Sequence, residues 1–324
     1  LLTLLIIPIS SYAQSEDLQV IENEYSNKDL GLEFILPDGW NGAQIPLLPS
    51  SIDGLLSDII LATPDDIRSY NGTTFILVMA GEVTDEFKGD IANIPEPPNP
   101  VKQIINQGCE LISANYITIG DLDGIEFESI CKEADENGNT ITAKNKIIFA
   151  NQNSPMRFIS VLFIAKADEY DSYIQDFDDM IDTLALSGNK VRVDKLPNIE
   201  ERVMLEEETF VNIKTNSDIN DFSFNEEDKS ISFNAEGEEN TIGIAEVYLD
   251  NVLKGPYTVI VDDKPIPFID NETGVTFIYT HSLHKIKIIG SEVVPEFPIT
   301  VLPLLAIIIG IMVMISKSNQ ILKR

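Results

Sequence analysis

Residues 116–165 read YITIGDLDGIEFESICKEADENGNTITAKNKIIFANQNSPMRFISVLFIA. Four runs rich in β-forming residues, Tyr116–Gly120, Ile125–Glu133, Thr140–Ala150 and Arg157–Ala165, alternate here with turn chemistry. Asp121-Leu122-Asp123-Gly124 and Asn153-Ser154-Pro155 are turn-forming, and Asn137-Gly138 is the favoured two-residue hairpin dipeptide. The stretch therefore predicts an antiparallel meander. Upstream, Leu32–Leu36 reads as a short strand, Pro37-Asp38-Gly39 as a turn, and Trp40 as the ring closing one end of a core. Ser50–Ala62 carries Ile52, Leu55, Leu56, Ile59 and Ile60 at helical spacing. Thr73–Gly81 (TTFILVMAG) is a continuous apolar run and predicts a buried central strand. Ile94–Pro100 is a proline-stiffened loop, with a short helix expected over Val101–Asn106. After the meander, Asp168–Leu186 carries Tyr170, Tyr173, Ile174, Phe177, Met180, Ile181 and Leu184 on one face and predicts a helix. Asp168 is its expected N-cap, and Ser187-Gly188 its expected stop.

From Thr209 the pattern changes. Short alternating runs, among them Ile242–Leu249, Tyr257–Val261, Gly274–Thr280 and His284–Ile289, are each bounded by Gly, Pro, Asn or Asp. Seven or eight such strands in about a hundred residues predict a β-sandwich over 209–292. The polar segment 189–208 reads as a linker to the preceding domain, 20–188. Both ends of the chain are apolar. Residues 1–13, with small Ser11 and Ala13 before Gln14, read as a signal peptide. Residues 299–315 lack any charge and span about 25 Å as a helix, enough to predict a transmembrane helix. Lys317, Lys323 and Arg324 in the tail 316–324 place that tail in the cytoplasm and the remainder outside.

The net charge is −31, with 53 Asp and Glu against 22 Lys and Arg. So acidic a chain has no basic footprint for nucleic acid or anionic lipid and tolerates divalent cations, basic proteins or amines. Cys109 and Cys131 form an even pair, as expected of a disulfide in an exported protein. One difficulty stands against it: a hairpin centred near Asp121–Asp123 sets Cys131 opposite Ser113, so Cys109 must curl back.

Two resemblances follow from the motifs. Gly31-Leu-Glu-Phe-Ile-Leu-Pro-Asp-Gly-Trp40, with the meander and the Ala165–Leu186 segment, resembles PsbP-like domains over roughly residues 25–187. That resemblance implies an α+β antiparallel sheet with flanking helices, and an extrinsic binding or assembly role without a transferable active site. Leu253–Pro265 and Tyr279–Gly290 resemble the membrane-proximal β-domain of archaeal surface proteins. Pro295, Glu296, Phe297 and Pro298 (residues 293–298 with Val293-Val294), the apolar run and the basic tail look like a PEF-CTERM sorting signal. That resemblance implies handling by an archaeosortase, although the form usual in ammonia-oxidising archaea has Gly where Pro298 stands.

Sites are sparse. His281 and His284 are the only histidines; they flank a tight turn, and a metal site needs three or four ligands. They read first as turn residues and second as copper or zinc ligands with acidic neighbours. Asp121, Asp123, Asp135 and Glu136 lack the order of a calcium loop and read as turn chemistry. Asn71-Gly72-Thr73 and Asn271-Glu272-Thr273 are glycosylation sequons in expected loops. No G-x-S-x-G, H-E-x-x-H, P-loop or G-x-G-x-x-G occurs, so no catalytic residue and no cofactor is expected. The expected function is a non-enzymatic, membrane-anchored extracytoplasmic binding or assembly protein. Its expected partners are other envelope proteins, the membrane through the C-terminal helix, and divalent cations. A structural cell-envelope protein is the alternative, followed by a metal carrier or enzyme using His281 and His284.

Overall fold

The computed structural model describes residues 19–45, 55–67, 74–84, 99–134, 140–204 and 208–294. The signal peptide 1–13, Asn71, the Asn137-Gly138 turn, Asp135, Glu136, Pro295–Pro298, 299–315 and 316–324 lie outside the described residues. Two short helices occur among the described residues, α1 (Pro100–Gln107) and α2 (Tyr170–Thr183). The first twelve strands are β1 (Gln19–Ile21), β2 (Glu24–Asn27), β3 (Leu32–Ile35), β4 (Asn41–Gln44), β5 (Leu55–Thr63), β6 (Phe75–Val83), β7 (Glu110–Ile119), β8 (Leu122–Ala134), β9 (Thr140–Asn153), β10 (Met156–Lys166), β11 (Ala185–Leu186) and β12 (Asn189–Val193). They form one sheet in the order β1-β4-β5-β6-β10-β9-β8-β7-β12-β11-β3-β2. The expected meander is its spine, β7 to β10, antiparallel throughout.

The expected fold class needs correction. About 63% of the described chain is strand and 10% helix, so the fold is all-β rather than α+β with flanking helices. Of the helix expected over Ser50–Ala62, the described residues from Leu55 onward are instead β5, paired on both sides with β4 and β6. Ile60 joins the core on one face of the sheet and Leu61 the core on the other. A strand buried on both faces shows a continuous apolar run, which periodicity cannot separate from a helix. No helix among the described residues is long and apolar enough to cross a membrane. The linker expected over 189–208 also contains strands: β12 follows β11 through a hairpin whose turn residues, Ser187 and Gly188, both have positive φ.

The remaining strands are β13 (Asn198–Met204), β14 (Glu208–Thr215), β15 (Asp218–Asn225), β16 (Ser230–Glu236), β17 (Ile242–Tyr248), β18 (Leu253–Lys254), β19 (Thr258–Val261), β20 (Lys264–Pro265), β21 (Phe268–Asn271), β22 (Gly274–Thr280), β23 (His284–Ile289) and β24 (Glu292–Val293). Two five-stranded sheets, β13-β14-β17-β22-β21 and β15-β16-β23-β19-β20, share one core that includes Val211, Phe233, Val247, Val259, Phe277 and Ile288.

Each face of the large sheet is covered differently. On one face α2 packs Tyr170, Phe177 and Met180 over Val161, Phe163 and Ile148. On the other face α1 contributes Val101 and Ile104, and the sandwich contributes Ile242, Ile244 and Ile278. Those three isoleucines lie in one buried cluster with Ile125, Phe127, Ile147 and Phe149 of the large sheet. The two halves of the chain are thus joined through apolar side chains that each presents to the other. Polar contacts reinforce the junction: Asn151 Nδ2 donates to Asn240 O at 3.1 Å, and Asn153 N–H to Glu238 Oε1 at 3.1 Å.

Candidate functional site

A cleft of about 780 Å³ opens where the two halves meet. One wall is Ile112–Tyr116 of β7 together with Val193, the last residue of β12, and Asp194–Leu196 after it. The other is built by the sandwich from Lys214 (β14), Ile244 and Glu246 (β17), Ile269 and Asn271 (β21) and Thr276 (β22). Its lining sets Ile112, Ala114, Val193, Leu196, Ile244 and Ile269 among a larger number of polar side chains. Lys214 Nζ donates to Tyr248 OH and lies 3.2 Å from Glu246 Oε2, and these partners raise its pKa, Tyr248 foremost. Asp194 accepts from Thr118 Oγ1 at 2.6 Å and from Arg192 at 2.9 Å. Arg192 and then Thr118 hold its carboxyl below the usual range. Tyr116 OH donates to Asp123 Oδ1 at 2.6 Å; burial and that carboxylate push its pKa up. A smaller cleft of about 350 Å³ lies between the end of α1 and Pro265–Phe268.

The two histidines occupy separate environments. His281 is buried, 5% exposed. Its Nε2 lies 2.7 Å from Ser217 Oγ and its Nδ1 2.7 Å from Thr241 Oγ1. Thr241 Oγ1 donates to Glu238 O at 2.6 Å, so it accepts from His281 Nδ1–H. Nε2 then accepts from Ser217, whose oxygen is 2.5 Å from Tyr279 OH. Burial, and next the charge of His284, lower the His281 pKa to about 4. Gly237 and Gly243 make room for the ring; a Cβ at Gly237 stands 2.6 Å from the imidazole. His284 Nδ1 lies 2.6 Å from Asp262 Oδ2, and its Nε2 2.6 Å from Thr280 O. Burial works to raise the Asp262 pKa, but the hydrogen bonds from His284 and Lys285 N–H outweigh it and hold it low.

Neither arrangement gathers a metal. Both ring nitrogens of each histidine face protein atoms, and no group of three or more His, Cys, Asp or Glu among the described residues can hold an ion. Ser217 and His281 stand at the separation of a nucleophile and its base. The third partner is a threonine hydroxyl rather than a carboxylate, and a base with a pKa near 4 is mismatched to neutral pH. None of these side chains lines either cleft. The network is a buried strut.

Cys109 and Cys131 are bridged, with a Cα–Cα distance of 4.4 Å. Asp121 Oδ1 accepts from Arg157 Nη1 at 2.7 Å, as turn chemistry rather than ion binding. Asn271 ends β21, and its Nδ2 donates to Thr276 Oγ1 at 2.8 Å, inside the cleft wall rather than on an open loop. One group escaped the sequence reading altogether. Asp58, 5% exposed, accepts from Tyr25 OH, from Asn27 Nδ2 at 2.6 Å and from Gln44 Nε2 at 2.7 Å. Burial and then Asp58 push the Tyr25 pKa up. A lone acid inside the apolar run LLSDIILAT was the available signal.

No protein-family model matches the chain, and no curated protein matches it. Among solved structures the chain is similar to the solution structure of cyanobacterial PsbP (CyanoP) from Synechocystis sp. PCC 6803. Identity is 17%, over 52% of this chain and 92% of that one, with a TM-score of 0.30. A PsbP-like fold is the most this likeness supports; at that score it carries no argument about site, activity or origin.

Proposed function

We propose that the chain is a non-enzymatic binding or assembly protein that works outside the cytoplasm, with the cleft between its halves as its ligand site. The observation that carries this reading is the cleft itself: about 780 Å³, walled by both halves, beside the isoleucine cluster that fixes those halves together. A disulfide supports an oxidising compartment. The charge of −31 supports a partner of opposite sign. Display on the outer face of an archaeal cell membrane, with Pro295–Pro298 as a PEF-CTERM-type signal, belongs to the same proposal and rests on the sequence alone. Amine-reactive cross-linking on intact source cells tests it. Lys195, exposed at the cleft rim, is expected to cross-link to a different envelope protein. Cross-links from other exposed lysines but none from Lys195 reject the cleft. Cross-links that join only copies of this chain favour a structural surface layer instead.

A further inference from the structure

The cleft contains an open strand edge. Strand β7 pairs with β8 along its length, but on its other side β12 reaches only Ile117 to Ile119. Asp194 N–H then donates to Tyr116 O, and among the described residues no strand continues the pairing along Glu110–Asn115. In an antiparallel strand the backbone groups of alternate residues point to the same side. Tyr116 O faces the cleft side, so the N–H and C=O of Ala114 do so too, without a partner strand. The opposite wall includes β21, itself the edge of its sheet. Apolar side chains stand at the rim: Val193 is 64% exposed and Ile112 36%.

An unpaired edge is a template for another strand. From this we infer that the cleft takes an extended, net-basic segment of a partner protein, which adds to β7 beside Ala114. The inference rests on the cleft being the ligand site. Backbone hydrogen bonds supply the register, while the exposed Val193 and Ile112 and the isoleucines of the wall receive alternate side chains. Charge chooses among occupants. A second copy of this chain brings another −31 against the first, whereas a lysine- or arginine-bearing segment is attracted.

The test uses the full chain and a capped octapeptide alternating valine and lysine. Two analogues are methylated on alternate amide nitrogens, one for each parity, and a fourth peptide replaces lysine by glutamate. Binding is measured by fluorescence anisotropy, and amide exchange by mass spectrometry. The basic peptide is expected to bind and to slow exchange of the Ala114 amide at least tenfold. At least one methylated analogue, and the acidic peptide, are each expected to bind at least tenfold more weakly. In the protein, Ala114→Pro removes the outward N–H at a position where an edge strand tolerates proline and is expected to weaken binding similarly. The methylated peptides give the answer even if that variant misfolds. Strand addition is overturned if both methylated analogues bind as tightly as the unmethylated peptide, if that peptide does not bind at all, or if exchange at Ala114 is not slowed. Equal binding of the acidic peptide overturns the basic partner. If strand addition fails while Lys195 still cross-links to another envelope protein, the cleft remains the ligand site; if both fail, that reading falls as well.

Discussion

At the His281 ring, the neutral form is the one the fold accepts, and the sign of its pH effect follows. The folded pKa is about 4, against an ordinary value near 6.5. The unfolded chain therefore takes up the proton first as pH falls. The stability contributed by the neutral ring is complete above pH 6.5 and is lost between there and about 4. The loss is on the order of 3 kcal/mol in total. Urea unfolding of the native chain and of His281→Gln at pH 7, 5.5 and 4 is expected to show a stability difference that shrinks as pH falls. A difference that stays flat with pH removes the strut reading. At Asp58, truncation to alanine strands three donors, of Tyr25, Asn27 and Gln44, and is expected to cost about 3 kcal/mol. Asp58→Asn keeps one acceptor oxygen and is expected to cost less. Equal urea midpoints for native protein and Asp58→Ala contradict the assignment.

Among the elements, the disulfide shows how one residue sets a register. The β7–β8 turn is Gly120-Asp121, with Ile119 opposite Leu122, tighter and earlier than the sequence suggested. An unbroken ladder from that turn brings Glu110, not Cys109, opposite Cys131. A bulge between Leu111 and Ser113 adds the one residue needed, and the bridge closes. Deleting Ile112 is expected to remove the bulge yet leave Cys109 opposite Cys131, so that the bridge still closes and no thiol titrates in denaturant. Replacing both cysteines by serine is expected to cost about 3 kcal/mol, as for a loop of this length. The strands of the meander and the turn at Ser154-Pro155 were legible because turn residues punctuate them, whereas the first turn came one residue earlier than read and Asn137-Gly138 lies outside the described residues. The bulge was not, since Ile112 looks like any other strand residue. Nor was β5, because Leu55, Leu56, Ile59 and Ile60 satisfy helical spacing and a doubly buried strand equally well. The helix over Tyr170–Thr183 was legible from its single apolar stripe, although its N-cap is Glu169 rather than Asp168.

For the whole molecule, the isoleucines that the sandwich places against the large sheet predict a single cooperative unfolding transition. Calorimetry is expected to give one peak, and Ile244→Ala to move all of it downward through a loss of about 2–4 kcal/mol. Two resolved peaks, only one of them shifted, contradict the common core. The cleft beside that core could not be read from the chain, since its walls run from Ile112 to Thr276 and no local spacing links them. The same junction imposes an order in time. Phe127, Ile147 and Phe149 leave the ribosome well before Ile242, Ile244 and Ile278 exist to cover them. At roughly 5–20 residues per second, the large sheet, complete in sequence at Val193, waits about 4–17 s for Ile278. Throughout that interval the part of the face that α1 does not cover stays open to water, and the unfinished chain is at its most prone to stick to its neighbours.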